Sequence, residues 1–307
     1  MTEESLLHEP KIIKKLVKAG YSSFAMLAGM QLDVFTPLKD GPTSAEQIAG
    51  AIGVKPVKLK PLLYALVAAG LLTMEGDLFS NTDEANRFLV KSSPSYVGNH
   101  PHINSLMMWG WGASPKTADS IRTGIPQEKY DYSVLPEDAL ERSFRGTLPV
   151  AVRAGCELVA RYDFSSCRTL LDVGGGSGGL AVAITEACSH VRATVVELPR
   201  VAPITRRLVR EAGAVDKVRV IDADVVRAPL TGAFDVAILR AFIQVLSPDE
   251  ACRALKNISA VINPGGVIYV LGHILDNSRI SPLEEVGYRL LSLNFYDTPV
   301  PYTEQEC

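Results

Sequence analysis

The sequence predicts an α/β protein in which a mainly α N-terminal domain precedes a doubly wound, mainly parallel sheet. Three observations predict this fold class. Five short apolar runs, separated by helical patterns, lie in the second half of the 307 residues. A glycine-rich stretch, residues 174–179, separates the first of these runs from its helix. In the first third of the chain, apolar residues recur at helical spacing around one short hairpin.

The composition resembles that of an average globular protein, with 47% hydrophobic residues, 21% charged residues and a net charge of -3. This charge supplies no general basic field, so we expect no nucleic-acid partner. The five cysteines form no CxxC pair, which argues against a zinc site or a disulfide framework. Residues 1–10 are acidic where a signal peptide is basic, and no run reaches the ~18 apolar residues of a membrane span. We expect a cytoplasmic protein with no membrane partner.

Residues 1–95 are predicted to form a winged-helix-like domain. Thr43 to Glu46 has the spacing of a capping box, which begins one helix. Apolar residues between Leu59 and Val67 recur at helical spacing in a second helix. Residues 71–80 then form a hairpin around a Glu-Gly-Asp turn, which is the wing.

Two features bear on the role of this domain. Its second helix offers Lys58 and Lys60, but no Arg, Asn or Gln placed to read base edges. The helical stretches between Ile12 and Leu32 carry more apolar surface than a small domain can bury. We therefore predict that the domain packs in a homodimer, and a ligand-responsive regulator that binds DNA is the alternative from a different class.

Residues 96–165 are predicted to be a helical linker and substrate-pocket segment. Its high density of Met and Trp can line a pocket for a flat apolar substrate, or it can fill the space between the domains. The candidate pocket residues are Met107, Met108, Trp109, Trp111 and Leu148. His100 and His102 form an HxH pair without further ligands at matching spacing, so we predict no metal site.

Residues 166–307 are predicted to form the ligand-binding domain, which has a Rossmann-like pattern. The strand Thr169 to Val173 leads directly into the glycine stretch and then into a helix. Glycines permit the tight turn and let backbone amides approach a ligand at the helix N-terminus. The stretch also satisfies GxGxxG, so by itself it leaves an NAD-dependent dehydrogenase open.

Acids at the strand ends favour S-adenosylmethionine as the cofactor. Asp172 lies two residues before the first glycine, where a carboxylate can bind the cationic amino-acid end of this cofactor and would repel a pyrophosphate. Glu197 ends the second strand ~20 residues after the loop, and it suits the two ribose hydroxyls. Asp224 follows the third strand and can accept a hydrogen bond from the adenine amino group, while Val225 packs on the ring.

Five motifs resemble those of the bacterial and plant small-molecule O-methyltransferases with an N-terminal dimerisation domain, the hydroxyindole and caffeate O-methyltransferase-like family. They are LLDVGGGSGG at 170–179, VVELP at 195–199, DADV at 222–225, FDVAILR at 234–240 and NPGG at 263–266. The resemblance implies cofactor contacts for Gly174, Glu197, Asp224, Val225 and Arg240, to which the loop adds Asp172, Gly176 and Gly178. The family normally has Asp where this chain has Glu197.

The residues that match the family's catalytic positions are altered. Family members use a histidine to remove the phenolic proton, which has a pKa of ~10. Gln244 stands at that position, and glutamine cannot take a proton at neutral pH. The two flanking acids of the family correspond to Gly272 and to a residue near Pro301 or Tyr302. His273 is adjacent to Gly272, but neighbouring strand residues point to opposite faces, so we do not expect His273 to be a replacement base.

The resemblance implies methyl transfer from S-adenosylmethionine to a small, aromatic or polyketide-like metabolite. We expect O-methylation in which Gln244 orients the acceptor and proximity replaces the base. An S-adenosylmethionine-binding enzyme of the same fold with non-methylating chemistry is the main alternative, because all three catalytic positions are altered. The family continues past Tyr302 with a helix and two strands, so we expect a sheet without those C-terminal strands.

Overall fold

The computed structural model describes residues 10–129, 131–132, 134–297 and 302–306. The chain divides after Ile103 into two compact units. The segment predicted as a helical linker, residues 96–165, is therefore divided between the units, and most of it belongs to the C-terminal one. Within the described ranges, every helix is too short or too polar to span a lipid bilayer.

In its described residues, the N-terminal unit combines four α-helices with a small antiparallel sheet. The helices are α1 (Lys11–Leu32), α2 (Ala45–Ile52), α3 (Pro56–Ala68) and α4 (Asp83–Phe88). The strands are β1 (Thr43–Ser44), β2 (Leu72–Glu75) and β3 (Leu78–Asn81), in the order β1-β3-β2. Strands β2 and β3 form the predicted wing, and Gly76 in their turn has a φ of +56° that favours glycine.

The capping box of α2 lies one residue later than predicted. Ser44 Oγ accepts the N–H of Gln47, and the Gln47 side chain accepts the N–H of Ser44. Thr43 does not serve as the cap, and its hydroxyl instead donates a hydrogen bond of 3.1 Å to the Gly41 carbonyl. Both Thr and Ser are good caps, so residue type alone does not decide between them.

The C-terminal unit begins with helices that precede the large sheet. Helix α5 (Pro101–Ser105) crosses the boundary and continues into a π-helical turn at Leu106–Gly110. Three further helices follow: α6 (Trp111–Ala113), α7 (Thr117–Thr123) and the long α8 (Glu137–Arg161).

Five parallel strands form the sheet of this unit. They are β4 (Thr169–Val173), β5 (Arg192–Glu197), β6 (Val218–Asp222), β7 (Phe234–Arg240) and β8 (Ile262–Leu271). The intervening helices are α9 (Gly179–Ala187), α10 (Ala202–Glu211) and α11 (Pro248–Ser259), and α12 (Leu283–Ser292) follows β8. The strand order is β6-β5-β4-β7-β8, which confirms the predicted fold class.

The sheet is apolar on both faces because helices cover both. Leu170 of β4 packs in one core with residues of α8 and α9, whereas Leu171 packs in a second core with residues of α11. Helix α11 begins with a capping box in which Ser247 Oγ accepts the N–H of Glu250. Because the strand order reverses between β4 and β7, a ligand crevice is expected at the carboxyl ends of these two strands.

Strand β8 begins earlier than predicted. The Asn-Pro-Gly-Gly turn at 263–266 was expected to precede the strand, but Ile262 already pairs with Phe234. A register shift between Phe234 and Val236 absorbs the turn as a bulge. Gly265 in this bulge has a φ of +82°, which explains the glycine there.

Candidate active site

The glycine loop between β4 and α9 requires glycine for two reasons, namely its positive backbone φ angles and the close packing of neighbouring atoms. Gly174, Gly176 and Gly178 have φ values of +62°, +55° and +73°, which L side chains rarely adopt. A Cβ atom on Gly175 would lie 2.6 Å from a carboxylate oxygen of Asp172. The glycines therefore let the loop pack closely in front of the N-terminus of α9.

Asp172 lies buried beneath this loop at the end of β4. It is 1% exposed, and its Oδ2 atom has no hydrogen-bond partner among the described residues. Burial raises the pKa of Asp172 to about 7, although the positive charge of Arg240 acts in the opposite direction. A buried carboxylate oxygen without a partner is costly in a folded protein. It therefore fits a site that receives a cationic group such as the amino group of S-adenosylmethionine.

Glu197 connects the end of β5 to the glycine loop. Its Oε1 atom accepts the N–H of Gly176 at 2.8 Å, and its Oε2 atom accepts the N–H of Leu198 at 2.8 Å. Burial raises the pKa of Glu197, and the two backbone hydrogen bonds act against that shift. A carboxylate has about four lone-pair positions, so two remain for the paired hydroxyls of a ribose.

Asp224 and Val225 form the turn after β6. The Oδ1 atom of Asp224 accepts the N–H of Val226 at 3.0 Å, which holds the carboxylate in place. Val225 is buried, and its carbonyl accepts a hydrogen bond of 2.8 Å from Asn257 Nδ2. A fixed carboxylate beside an apolar side chain can bind the edge and the face of an adenine.

Arg240 ends β7, next to β4 in the sheet. Burial lowers the pKa of Arg240, while the charges of Asp172 and Tyr288 raise it. The Arg240 guanidinium thus interacts electrostatically with Asp172 of β4 and with Tyr288 of α12. The predicted cofactor residues from β4, β5, β6 and β7 are therefore assembled at the carboxyl ends of the strands.

Two phenylalanines that the sequence reasoning missed contact the glycine loop. A Cβ atom on Gly174 would lie 2.8 Å from the ring of Phe242, and one on Gly176 would lie 3.1 Å from the ring of Phe144. Phe144 also stacks on Tyr132 with ring centroids 5.9 Å apart. Phe242 follows Arg240 closely in sequence, which was the only signal for it.

Gln244, at the position of the family's histidine, is 3% exposed and held at both ends of its amide. Its Oε1 atom accepts the backbone N–H of His273 at 3.0 Å, and its Nε2 atom donates to the Tyr288 hydroxyl at 3.4 Å. A Cβ atom on Gly272 would lie 2.6 Å from Gln244 Oε1, so glycine there makes room for the amide. The other altered position falls near Pro301, which lies outside the described residues, or Tyr302, which is buried.

The strand-alternation argument about His273 does not hold in the folded chain. Strand β8 ends at Leu271, so the alternation of strand side chains does not extend to His273. Its ring stacks on Tyr288, the hydrogen-bond partner of Gln244, with centroids 3.4 Å apart. Its Nδ1 atom lies 2.5 Å from Glu285 Oε2. The structure therefore places a histidine–carboxylate pair beside the altered base position.

The Met- and Trp-rich segment packs against two helices of the same unit. Met108 contacts the Cα position of Gly146 in α8, where glycine leaves space for the sulfur. A Cβ atom on Gly110 would lie 2.6 Å from Leu291 of α12. The π-helical turn at 106–110 thus lies next to the helix that carries Tyr288.

The other predicted pocket residues have different surroundings. Leu148 packs on Gly179, at the start of the helix that follows the glycine loop, where a Cβ atom would lie 2.7 Å from Leu148 Cδ1. Met107 is half-buried, whereas Trp111 is exposed. The side chain of Trp109 lies outside the described part of the chain. A substrate contact for these residues stays a prediction.

The fold and this site define a cofactor-dependent transferase of the doubly wound α/β class. Residues 139–298 match the O-methyltransferase domain, and residues 15–91 match the O-methyltransferase dimerisation domain. The chain therefore belongs to the O-methyltransferase family. This confirms the predicted enzyme class, an S-adenosylmethionine-dependent methyltransferase.

Several characterised proteins are similar over almost the whole chain. The tetracenomycin polyketide synthesis 8-O-methyl transferase TcmO of Streptomyces glaucescens is 28% identical over 313 residues, covering 100% of this chain and 91% of that protein. The mitomycin biosynthesis 6-O-methyltransferase of Streptomyces lavendulae is 26% identical, covering 92% and 82%. Human N-acetylserotonin methyltransferase, solved with S-adenosylmethionine, superposes with a TM-score of 0.78 at 20% identity, covering 99% and 90%.

Proposed function

We propose that the protein transfers a methyl group from S-adenosylmethionine to a hydroxyl group of a small aromatic or polyketide-like metabolite. The observation that carries this proposal is the buried Asp172 carboxylate beneath the glycine loop, whose Oδ2 atom has no hydrogen-bond partner among the described residues. Glu197 and Asp224 extend the same site along the strand ends. Together they fit the amino-acid, ribose and adenine parts of one cofactor.

The aromatic substrate class is supported by the relatives and by the walls of the site. Relatives are named for a tetracenomycin polyketide, a hydroxynaphthoate and mitomycin. In this chain, Phe144 and Phe242 lie on the glycine loop, and Tyr288 lies beside Gln244. A flat aromatic substrate can stack on these side chains. Stacked aromatic pairs are stabilised by more than the burial of their apolar area.

The residues of this chain bind and orient the two reactants. Asp172 attracts the cationic end of the cofactor, while Glu197 accepts hydrogen bonds from its ribose. The bound cofactor supplies a methyl group on a positively charged sulfur. Gln244 acts as a positioning residue, because its amide fixes the Tyr288 hydroxyl and the backbone of His273. Methyl transfer must cross an activation barrier, and correct alignment of the reacting atoms by itself can supply a large part of the reduction of that barrier.

A homodimer is part of the same proposal. Residues of the N-terminal half of α1 expose apolar side chains, and Ile12, Leu16 and Tyr21 are 76%, 66% and 73% exposed. Such a large apolar face on one helix marks a protein interface. The match of residues 15–91 to the dimerisation domain indicates that the partner is a second copy. DNA binding is less well supported, because Lys60 of α3 pairs with Glu46 at 2.9 Å.

We also propose a cytoplasmic location. Four described cysteines, Cys156, Cys167, Cys188 and Cys252, are free thiols. Free thiols are the usual state in a reducing compartment. Fractionation of cells that express the protein, with a periplasmic marker enzyme as reference, tests this proposal.

Calorimetric titration and label transfer test the function. We expect S-adenosylhomocysteine to bind and NAD to give no heat. The Glu197→Ala variant should bind at least tenfold more weakly, whereas Asp216→Asn, a change at an exposed turn, should bind like the wild type. Methyl-labelled cofactor should then label some of a panel of hydroxylated naphthalenes and anthraquinones. Tight S-adenosylhomocysteine binding without label on any acceptor would instead support the non-methylating alternative.

A further inference from the structure

The proposed O-methylation requires the acceptor hydroxyl to lose a proton, and this inference rests on that proposed function. Gln244 cannot accept the proton at neutral pH. The residue whose backbone N–H is bound to Gln244 is His273, and imidazole is the side chain that exchanges protons near neutral pH. The question is therefore whether the His273 ring is held as a general base would be.

The ring of His273 is fixed from several sides. Its Nδ1 atom lies 2.5 Å from Glu285 Oε2, and its plane is tilted by 15° from that of the stacked Tyr288 ring. The backbone carbonyl of His273 accepts a hydrogen bond of 2.6 Å from Arg289 Nη2. The side chains of His273 and Glu285 are only 11% and 16% exposed. A side chain locked by packing and hydrogen bonds is what a catalytic geometry needs.

The Glu285 carboxylate gives this ring a direction. A carboxylate at Nδ1 accepts the Nδ1–H hydrogen bond, so the neutral ring carries its lone pair on Nε2. The same carboxylate stabilises the imidazolium that forms when Nε2 takes a proton. Glu285 is therefore placed to orient the His273 ring and to stabilise its protonated form, as the carboxylate does in enzymes with a histidine base.

The pair is linked to the predicted cofactor residues through Tyr288. Tyr288 stacks on His273, accepts a hydrogen bond from Gln244 and is electrostatically coupled to Arg240. Arg240 is coupled in turn to Asp172 beneath the glycine loop. Ring stacking, a hydrogen bond and electrostatic interactions thus link the histidine–carboxylate pair with the proposed cofactor site.

We propose that His273 is the proton acceptor of the reaction and that Glu285 is its positioning residue. A lone pair of the acceptor oxygen forms the new O–CH₃ bond, and the electrons of the broken S–CH₃ bond stay on sulfur. The hydroxyl proton passes to Nε2 of His273, and the Glu285 carboxylate balances the imidazolium charge. The imidazolium returns this proton to water after the product leaves. In this proposal the base is at position 273, whereas the family has its histidine base at the position of Gln244.

Two acceptors of different acidity distinguish a base from a merely structural histidine. The pair is a hydroxynaphthalene with a phenolic pKa of ~10 and a nitro-substituted analogue that is ionised at pH 7.5. In single turnover, His273→Asn should slow methylation of the weak acid by about 100- to 1000-fold and of the ionised acceptor by less than tenfold. Glu285→Gln should slow methylation of the weak acid by about tenfold and should have a smaller effect on the ionised acceptor. The control is His190→Asn, since His190 bonds the Phe164 carbonyl.

An independent readout is the tautomer of the His273 ring, measured by ¹⁵N NMR on the S-adenosylhomocysteine complex. We expect a protonated Nδ1 in the wild type and a shift toward Nε2–H in Glu285→Gln. Wild-type Nε2–H, or equal losses with both acceptors, refutes the base assignment while methyl transfer stands. If the wild type binds S-adenosylhomocysteine but methylates no acceptor, the proposed function fails, and the base assignment fails with it.

Discussion

Replacing Asp172 with asparagine tests the electrostatic design of the cofactor site. Burial raises the pKa of Asp172 to about 7, so in the ligand-free protein this carboxyl takes up a proton as the pH falls through 7. An ammonium group on the ligand binds the ionised carboxylate more tightly than the neutral acid. The contribution of Asp172 to binding is therefore fully present only well above pH 7 and is lost as the pH falls through 7.

The magnitude follows from the same pKa. With a free-state pKa of about 7, the affinity for S-adenosylhomocysteine should fall about eightfold between pH 7.5 and pH 6. At pH 7.5, Asp172→Asn removes a hydrogen bond to a charged group, worth about 1.5–3 kcal/mol, which corresponds to about 10- to 150-fold weaker binding. At pH 6 the two proteins should differ much less, because the wild-type carboxyl is then mostly neutral.

Isothermal titration calorimetry at pH 6, 6.75 and 7.5 measures these affinities directly. Repeating each titration in buffers with different ionisation enthalpies counts the protons released on binding. Asp216→Asn removes an exposed carboxylate and serves as the matched control. If Asp172→Asn keeps the full pH dependence of the wild type, another group is responsible, and the assignment of Asp172 to the ammonium group is wrong.

Three further substitutions test the loop, a helix and the dimer interface. Gly174→Ala combines a φ of +62° with a Cβ atom 2.8 Å from the Phe242 ring, so urea unfolding should show a loss of about 1–3 kcal/mol, and adding Phe242→Ala should recover only part of it. Full recovery would mean that the backbone angle carries no strain. Ser247→Ala removes the cap of α11 and should lower the free energy of unfolding by about 1 kcal/mol, and an unchanged urea midpoint would contradict this role. Leu16→Glu on the exposed face of α1 should yield a monomer in light scattering at concentrations where Lys18→Glu stays dimeric; two dimers would locate the interface elsewhere.

The strands of the sheet were predictable because parallel strands covered on both faces are continuous apolar runs. The predicted bounds of Thr169–Val173 and Val218–Asp222 are those of β4 and β6. The capping box lies at Ser44 and Gln47 instead of Thr43 and Glu46, because both pairs have suitable residue types and the sequence alone does not choose between them. The start of β8 was missed because a bulge allows Ile262 to pair before the glycine turn. There, tertiary pairing overrode a local pattern.

The cofactor side of the site was predictable for a topological reason. Asp172, Glu197 and Asp224 each lie at or just beyond the carboxyl end of a strand of one parallel sheet, and these strand ends meet at one edge. The acceptor side was not predictable in this way. His273 lies beyond the end of β8, where strand alternation no longer applies, and its partner Glu285 belongs to a separate helix. Only the folded chain brings these two side chains together.

The two backbone hydrogen bonds of Glu197 have a consequence for how tightly a ligand can bind. Because Glu197 already holds the N–H groups of Gly176 and Leu198, the glycine loop is preorganised before any ligand arrives. The entropy of ordering the loop is then lost during folding instead of during binding, and more of the contact energy remains as affinity. In hydrogen exchange, the Gly176 amide should therefore be protected already in the ligand-free protein.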